Sequence, residues 1–165
     1  MSHPPNSRKR WALDDQPEKR FSTSVALIVY RPLPKRAKMS TQEQINQAYT
    51  TAKNYPDLAQ KLVDAGVQSY SVEVSSGIIL YRLADGETIL HSNAVEPRRI
   101  STTFDQPETI GAIRDNQQGK SDYPGFMAAI ARAGVRFYDA ILTGGNKRVI
   151  YVGIGGYYEE KIPIA

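Results

Sequence analysis

From Thr41 onward, apolar and polar positions fall into a helix–helix–strand–strand order, and they do so twice. The spacing predicts a helix over 41–53, with Ser40 or Thr41 as its cap and Glu43 or Gln44 near the capping-box position. Tyr55-Pro56 interrupts it. The residue before proline is pushed out of helical geometry, while proline suits the first turn of a new helix. That second helix, over 56–65, places Leu58, Leu62 and Val63 on one face, and Gly66 ends it. Residues 68–74 alternate and are rich in Val and Tyr, which predicts a strand. Ser75-Ser76-Gly77 turns the chain into a returning strand over 78–83, and Asp85-Gly86 leads to a third over 88–92.

The second half follows the same order. Helices are expected over 107–118, capped from Asp105 and ended near Gly119, and over 124–133, apolar at Phe126, Met127 and Ile130. Strands over 136–142 and 147–152 flank a Thr143-Gly144-Gly145-Asn146 turn, and residues 155–163 add a short edge strand. The expected fold is α+β: a duplicated helix-helix-strand-strand unit forming one antiparallel sheet of five or six strands, with helices packed on it.

The duplication is legible residue by residue. Tyr55-Pro56-x8-Ala65-Gly66-Val67-x-x-Tyr70 recurs as Tyr123-Pro124-x8-Ala133-Gly134-Val135-x-x-Tyr138, always 68 residues on. Tyr81 finds its counterpart in Tyr151 after a slightly longer turn. One such unit cannot cover its own apolar sheet face, so two copies are expected to complete one core in a single domain over 39–165, with repeats at 41–92 and 107–165. Gly66 and Gly134 are expected at positive φ after equivalent helices. Simple strand alternation would put Val67 on the opposite face from Tyr70, Val72 and Val74, and Val135 opposite Tyr138, Ala140 and Leu142.

Charge separates the first 38 residues from the rest. Residues 1–40 hold nine Lys or Arg against three acids, a net +6, whereas residues 41–165 carry 12 basic and 14 acidic residues, a net −2. Five of the ten prolines also lie in that first segment. It reads either as a disordered basic tail or as the product of a misassigned translation start, with Met39 as the natural one; a functional basic arm is the third reading. The apolar run Val25–Tyr30 could form an edge strand, and it is too short and badly flanked for a signal peptide.

Composition closes off several chemistries. There is no cysteine, which excludes disulfides, thiolate catalysis and cysteine-ligated metals. The two histidines, His3 and His91, leave no histidine-rich metal site, and any Ser–His–Asp arrangement would have to use His91. Gly153-Ile154-Gly155-Gly156 follows a strand but lacks the glycine and the helix a dinucleotide site needs, so it reads as a turn. Glu73, Asp115, Asp122, Asp139, Glu159 and Glu160 are scattered, and Glu159-Glu160 reads as a solvated edge. Neither a catalytic residue, a metal ligand nor a cofactor is assigned. The candidate partner-binding residues are Tyr157 and Tyr158, which have no counterpart in the first copy, the linker doublet Arg98-Arg99, and His91.

Several of the motifs carry a resemblance. Ala112-Ile113-Arg114-Asp115-x-Gln117-x-Gly119-x-x-x-Tyr123-Pro124-x-Phe126, followed by Ala133-Gly134-Val135-x-x-Tyr138, resembles the YdfO-like family. The ending Val149-Ile150-Tyr151-x-Gly153-x-x-Gly156-x-Tyr158-x-Glu160-x-Ile162-Pro163 is similar too. These are small proteins of enterobacterial prophages and related bacteria, often labelled phage envelope proteins. The resemblance covers about residues 40–165. It implies a compact α+β fold and a mobile-element context, and it carries over no catalytic residue.

Three functional readings follow. The first is a cytoplasmic prophage-type accessory protein that binds a host or phage protein. The second is a nucleic-acid-associated regulator, which would need the basic arm 1–38 to be translated, because phosphate neutralisation supplies most of such affinity. The third is a small-ligand binder or enzyme with a pocket near His91. No run approaches the roughly 18–20 apolar residues of a membrane span. The sequence leaves the oligomeric state open.

Overall fold

The computed structural model describes residues 37–92 and 96–162. The reading of residues 1–36, with its edge strand over Val25–Tyr30, falls outside the described residues. The elements follow the order ααβββ twice: α1 (Thr41–Thr51), α2 (Tyr55–Asp64), β1 (Val67–Glu73), β2 (Ile79–Leu83) and β3 (Thr88–His91), then α3 (Gln106–Gln117), α4 (Tyr123–Arg132), β4 (Val135–Ile141), β5 (Arg148–Gly153) and β6 (Gly156–Lys161).

Caps fix where the helices start. Ser40 Oγ accepts from the Glu43 N–H at 3.2 Å while Glu43 Oε2 accepts from the Ser40 N–H at 2.8 Å, a complete capping box. Asn54 Oδ1 accepts from the Asp57 N–H at 3.0 Å, and Asp122 Oδ1, 68 residues later, accepts from the Gly125 N–H at 2.8 Å. Each precedes a Tyr-Pro pair, so cap, tyrosine and proline make one repeated helix start. Helix α1 ends at Thr51 rather than at 53, because Asn54 already caps α2 and the chain is extended at Ala52.

The strands form one antiparallel sheet in the order β3-β2-β1-β4-β5-β6. Helices pack on one face, α2 against β1, α4 against β4 and α3 against β6. The two units meet where β1 pairs with β4: Tyr70 faces Ala140, Ser71 faces Asp139 and Val72 faces Tyr138. Ser71 and Asp139 are themselves 68 residues apart, so the local two-fold axis relating the units passes between them.

Simple alternation fails at the start of both long strands. Val67, Tyr70, Val72 and Val74 are all buried, and so are Val135, Tyr138, Ala140 and Leu142. The register slips between Val67 and Ser69 against β2, and again between Val135 and Phe137 against β5. A bulge inserts one residue and resets the parity, returning the first valine to the core. The bulge is therefore part of the repeated unit.

A row of tyrosines crosses the covered face. Tyr81, Tyr70, Tyr138, Tyr151 and Tyr158 lie on β2, β1, β4, β5 and β6, with successive ring centroids 5.8, 6.4, 5.3 and 6.4 Å apart. Tyr55, the first residue of α2, meets Tyr70 hydroxyl to hydroxyl at 2.9 Å. Tyr123, the first residue of α4, stands in the equivalent place beside Tyr138. The repeated Tyr-Pro thus ties each helix start to the middle of its strand. Tyr81 donates to Tyr49 of α1 at 3.0 Å. Burial holds the Tyr55 and Tyr81 phenols up at about 12 and pushes Tyr70, Tyr138 and Tyr151 upward as well. Phenols this reluctant to ionise act as hydrogen-bonded struts at neutral pH, not as bases.

The glycine-rich ending is a seat for Phe104. The Phe104 N–H donates to the Ile154 carbonyl at 2.9 Å. A β-carbon at Gly156 would lie 2.7 Å from the Phe104 ring, and one at Gly153 would lie 2.9 Å from the Phe104 β-carbon. Gly155 turns the hairpin with φ +85°. These residues make a turn and a packing surface, in keeping with the missing fingerprint.

Candidate functional site: the open face of the sheet

Within the described residues no helix lies on the second face of the sheet, and strand register lays out its side chains in three rows. The first is Ile78, Glu73, Phe137, Val152 and Tyr157. The second is Leu90, Leu80, Ser71, Asp139, Ile150 and Glu159, and the third is Thr88, Arg82, Ser69, Ile141, Arg148 and Lys161. Phe137 pairs with Val152 and Val152 with Tyr157, so an unbroken apolar strip runs over β4, β5 and β6. Phe137 is 42% exposed, Tyr157 63% and Leu90 65%. An apolar patch of large side chains on one face is the kind of surface that marks interaction sites.

At its centre this face turns acidic. A depression of about 260 Å³ is lined by Ser71, Val72, Glu73, Ile78, Leu80, Phe137 and Asp139. Arg82 Nη1 donates to Ser71 Oγ at 2.9 Å, and the Ser71 hydroxyl donates to Asp139 Oδ1. Glu73 accepts from the Ser75 and Ser76 N–H groups at 3.2 and 2.6 Å and from the Ser76 hydroxyl. Burial alone would raise its pKa, but these bonds outweigh it and hold the carboxyl below the usual range. Arg148 Nη1 donates to Glu159 Oε2 at 2.8 Å. Arg82 and Arg148 are thus engaged within the chain, while Arg136 in the β4 bulge and Lys161 on β6 stand exposed.

The residues singled out from sequence scatter. Tyr157 lies on the apolar strip, while Tyr158 points to the covered face and stacks on Tyr151. Arg98 is held against the β1–β2 turn: its N–H donates to the Ser75 carbonyl at 2.8 Å and its carbonyl accepts from the Ser75 hydroxyl at 2.9 Å. Arg99 is exposed beside it. His91 lies on β3 opposite Ile79, on the helix side. It sits five strand spacings from β6, about 24 Å away. A second depression, about 340 Å³, opens between α1 and α2 around Gln44, Gln47 and Lys61; His91 lines neither. Glu159 and Glu160 are paired rather than free at the edge. Glu160 faces inward and accepts from Arg114 of α3 at 2.6 Å.

Phe137 and Val152 carried no sequence flag. Period-two spacing does place Phe137 opposite Tyr138, so β4 is apolar on both faces beyond its bulge, and that is the signal that finds them. Glu73 and Asp139 were visible only as scattered acids, because their meeting depends on the β1–β4 pairing. Among the described residues no group of three or more His, Asp or Glu could hold a metal ion, and no helix is long and apolar enough to cross a membrane.

Fold and face together define an α+β protein whose ααβββ order occurs twice along one sheet, one side covered by helices and the other open among the described residues. Residues 43–154 match the family described as protein of unknown function, DUF1398, and the chain belongs to that family. No curated protein matches it.

Proposed function

We propose that this chain is an accessory protein of prophage type that acts in the cytoplasm by binding a protein partner through the open face of its sheet. The observation that carries the reading is the strip Phe137–Val152–Tyr157 with Leu90 across the sheet, large apolar side chains standing in solvent opposite a well-packed core. The prophage setting and the host or phage origin of the partner are supported by the resemblance of residues 40–165 to the YdfO-like family. The partner is a different protein, not a second copy. The face offers carboxylates beside apolar side chains and so fits a surface with a free basic group, and self-association is the outcome that rejects it.

Affinity capture from the natural host with the full chain, with Phe137→Asp/Val152→Asp, and with Gln47→Asp on α1 tests this. The reading expects one captured protein, rebound when purified, to be lost with the open-face double variant and kept with the helix variant. The reverse pattern, or capture of this chain by itself, rejects it.

A further inference from the structure

We propose that the depression at the centre of the open face is a socket for an arginine side chain of the partner. The inference rests on the reading that this face docks a protein, and it specifies that partner's chemistry.

The depression is small, about 260 Å³. Ile78, just before β2, and Leu80 of β2 flank one side, Phe137 and Asp139 of β4 flank the other, Ser71 and Glu73 of β1 lie between, and no basic residue lines it. A side chain that suits this lining has an apolar stem and a cationic head. Arginine does this best: its methylenes lie along Ile78 and Leu80, its planar guanidinium stacks on the Phe137 ring, and its fork donates to the carboxylates. Lysine brings only a point charge, which is strongly hydrated and gains less from the ring. A bare metal ion would leave the apolar side chains unused.

The internal repeat supplies an independent argument. On the covered face, equivalent positions keep their chemistry: Val67 and Val135, Tyr70 and Tyr138, Val74 and Leu142. Around the two-fold axis on the open face they diverge: Ser71 against Asp139, Glu73 against Ile141, Ser69 against Phe137. Core packing demands the first likeness and is indifferent to the second set. The divergence gathers both carboxylates and the phenyl ring around one depression, while Ser69 and Ile141 take the corresponding places across the axis.

The test is an amide-detected NMR titration of the full chain with N-acetyl-arginine-amide, with the lysine and citrulline analogues as comparators. Citrulline keeps the shape and removes the charge. Shifts are expected at Ser71, Glu73, Leu80, Phe137 and Asp139 with arginine, weaker with lysine and absent with citrulline. Glu73→Gln/Asp139→Asn should weaken arginine binding about tenfold. The rest of its spectrum should stay unchanged, which verifies that it folds. Equal shifts with citrulline, shifts elsewhere, no shifts at all, or indifference to the double variant would overturn the socket. Any of these would leave intact a partner whose capture depends on Phe137. Loss of that dependence in the capture experiment instead removes the docking reading, whatever the arginine probe does.

Discussion

Ser71 and Asp139 hold the same place in the two units and face each other across β1 and β4, with the Ser71 hydroxyl donating to the Asp139 carboxylate. Arg82 completes the chain by donating to Ser71 Oγ. The polar link therefore crosses the boundary between the units at their axis. Asp139→Ala and Ser71→Ala are each expected to cost about 1 kcal/mol, with the double variant costing less than the sum. Urea denaturation of the two single variants and the double variant measures this; strict additivity would show that the link contributes nothing as a unit.

The two helix-ending glycines should respond differently to alanine. Both have positive φ, +95° at Gly66 and +83° at Gly134. A β-carbon at Gly66 meets nothing within 4 Å, so Gly66→Ala bears only the backbone cost, about 1 kcal/mol. At Gly134 it would sit 2.2 Å from the Thr103 carbonyl oxygen, which is backbone. Gly134→Ala should cost about 3 kcal/mol or more, since strain and overlap combine. Equal melting temperatures for the two variants would contradict the close approach of residues 103–104.

That contrast shows how far sequence reading reaches. Helix starts were legible because their chemistry is local: Ser40 with Glu43, Asp105, and the proline after Tyr55 and Tyr123, with Gly66 and Gly134 at the ends; the Asn54 and Asp122 caps came only with the structure. The two bulges were not, because a bulge is a property of pairing, and only the partner strands reveal that Val67 and Val135 return to the core. The role of Gly153 and Gly156 was hidden for the same reason, since Phe104 reaches them from about fifty residues away. Of the candidate site, Tyr157 was legible from its lack of a repeat counterpart. Phe137, Glu73 and Asp139 needed the sheet order.

Alkaline pH should unfold the protein through its tyrosines. Burial raises the folded pKa of Tyr55 and Tyr81 from 10.0 to about 12, and Tyr70, Tyr138 and Tyr151 move the same way. The unfolded chain then loses protons that the folded chain keeps, so each phenol's contribution is intact below pH 10 and lost as pH rises through its folded pKa. Stability should fall steeply from about pH 10 upward, with phenolate absorbance appearing together with loss of structure. Phenolate formation by these residues in a protein that remains folded would contradict their burial.

Tyr55→Phe should destabilise by about 1 kcal/mol, because it leaves the buried Tyr70 phenol without its hydroxyl partner, and Tyr123→Phe, at the equivalent place beside Tyr138, should cost a similar amount. Comparable losses would support equivalent roles for the repeated Tyr-Pro. A loss at Tyr55 alone would confine the strut to the first unit.

A chain beginning at Met39 is expected to fold and to melt within about 2–8 °C of the full chain, as a difference near 1 kcal/mol implies at this size. Differential scanning calorimetry of both forms is the check. A larger drop would assign residues 1–38 a share in the fold.

The account stands most directly on where a partner touches. A photo-crosslinking phenylalanine analogue placed at position 137, and separately at position 47 on α1, should be irradiated in the natural host. The account predicts a crosslink to one other protein from position 137, abolished when Val152→Asp is added, and none from position 47. Crosslinks to that protein from position 47 alone, or from position 137 only to a second copy of this chain, would contradict it.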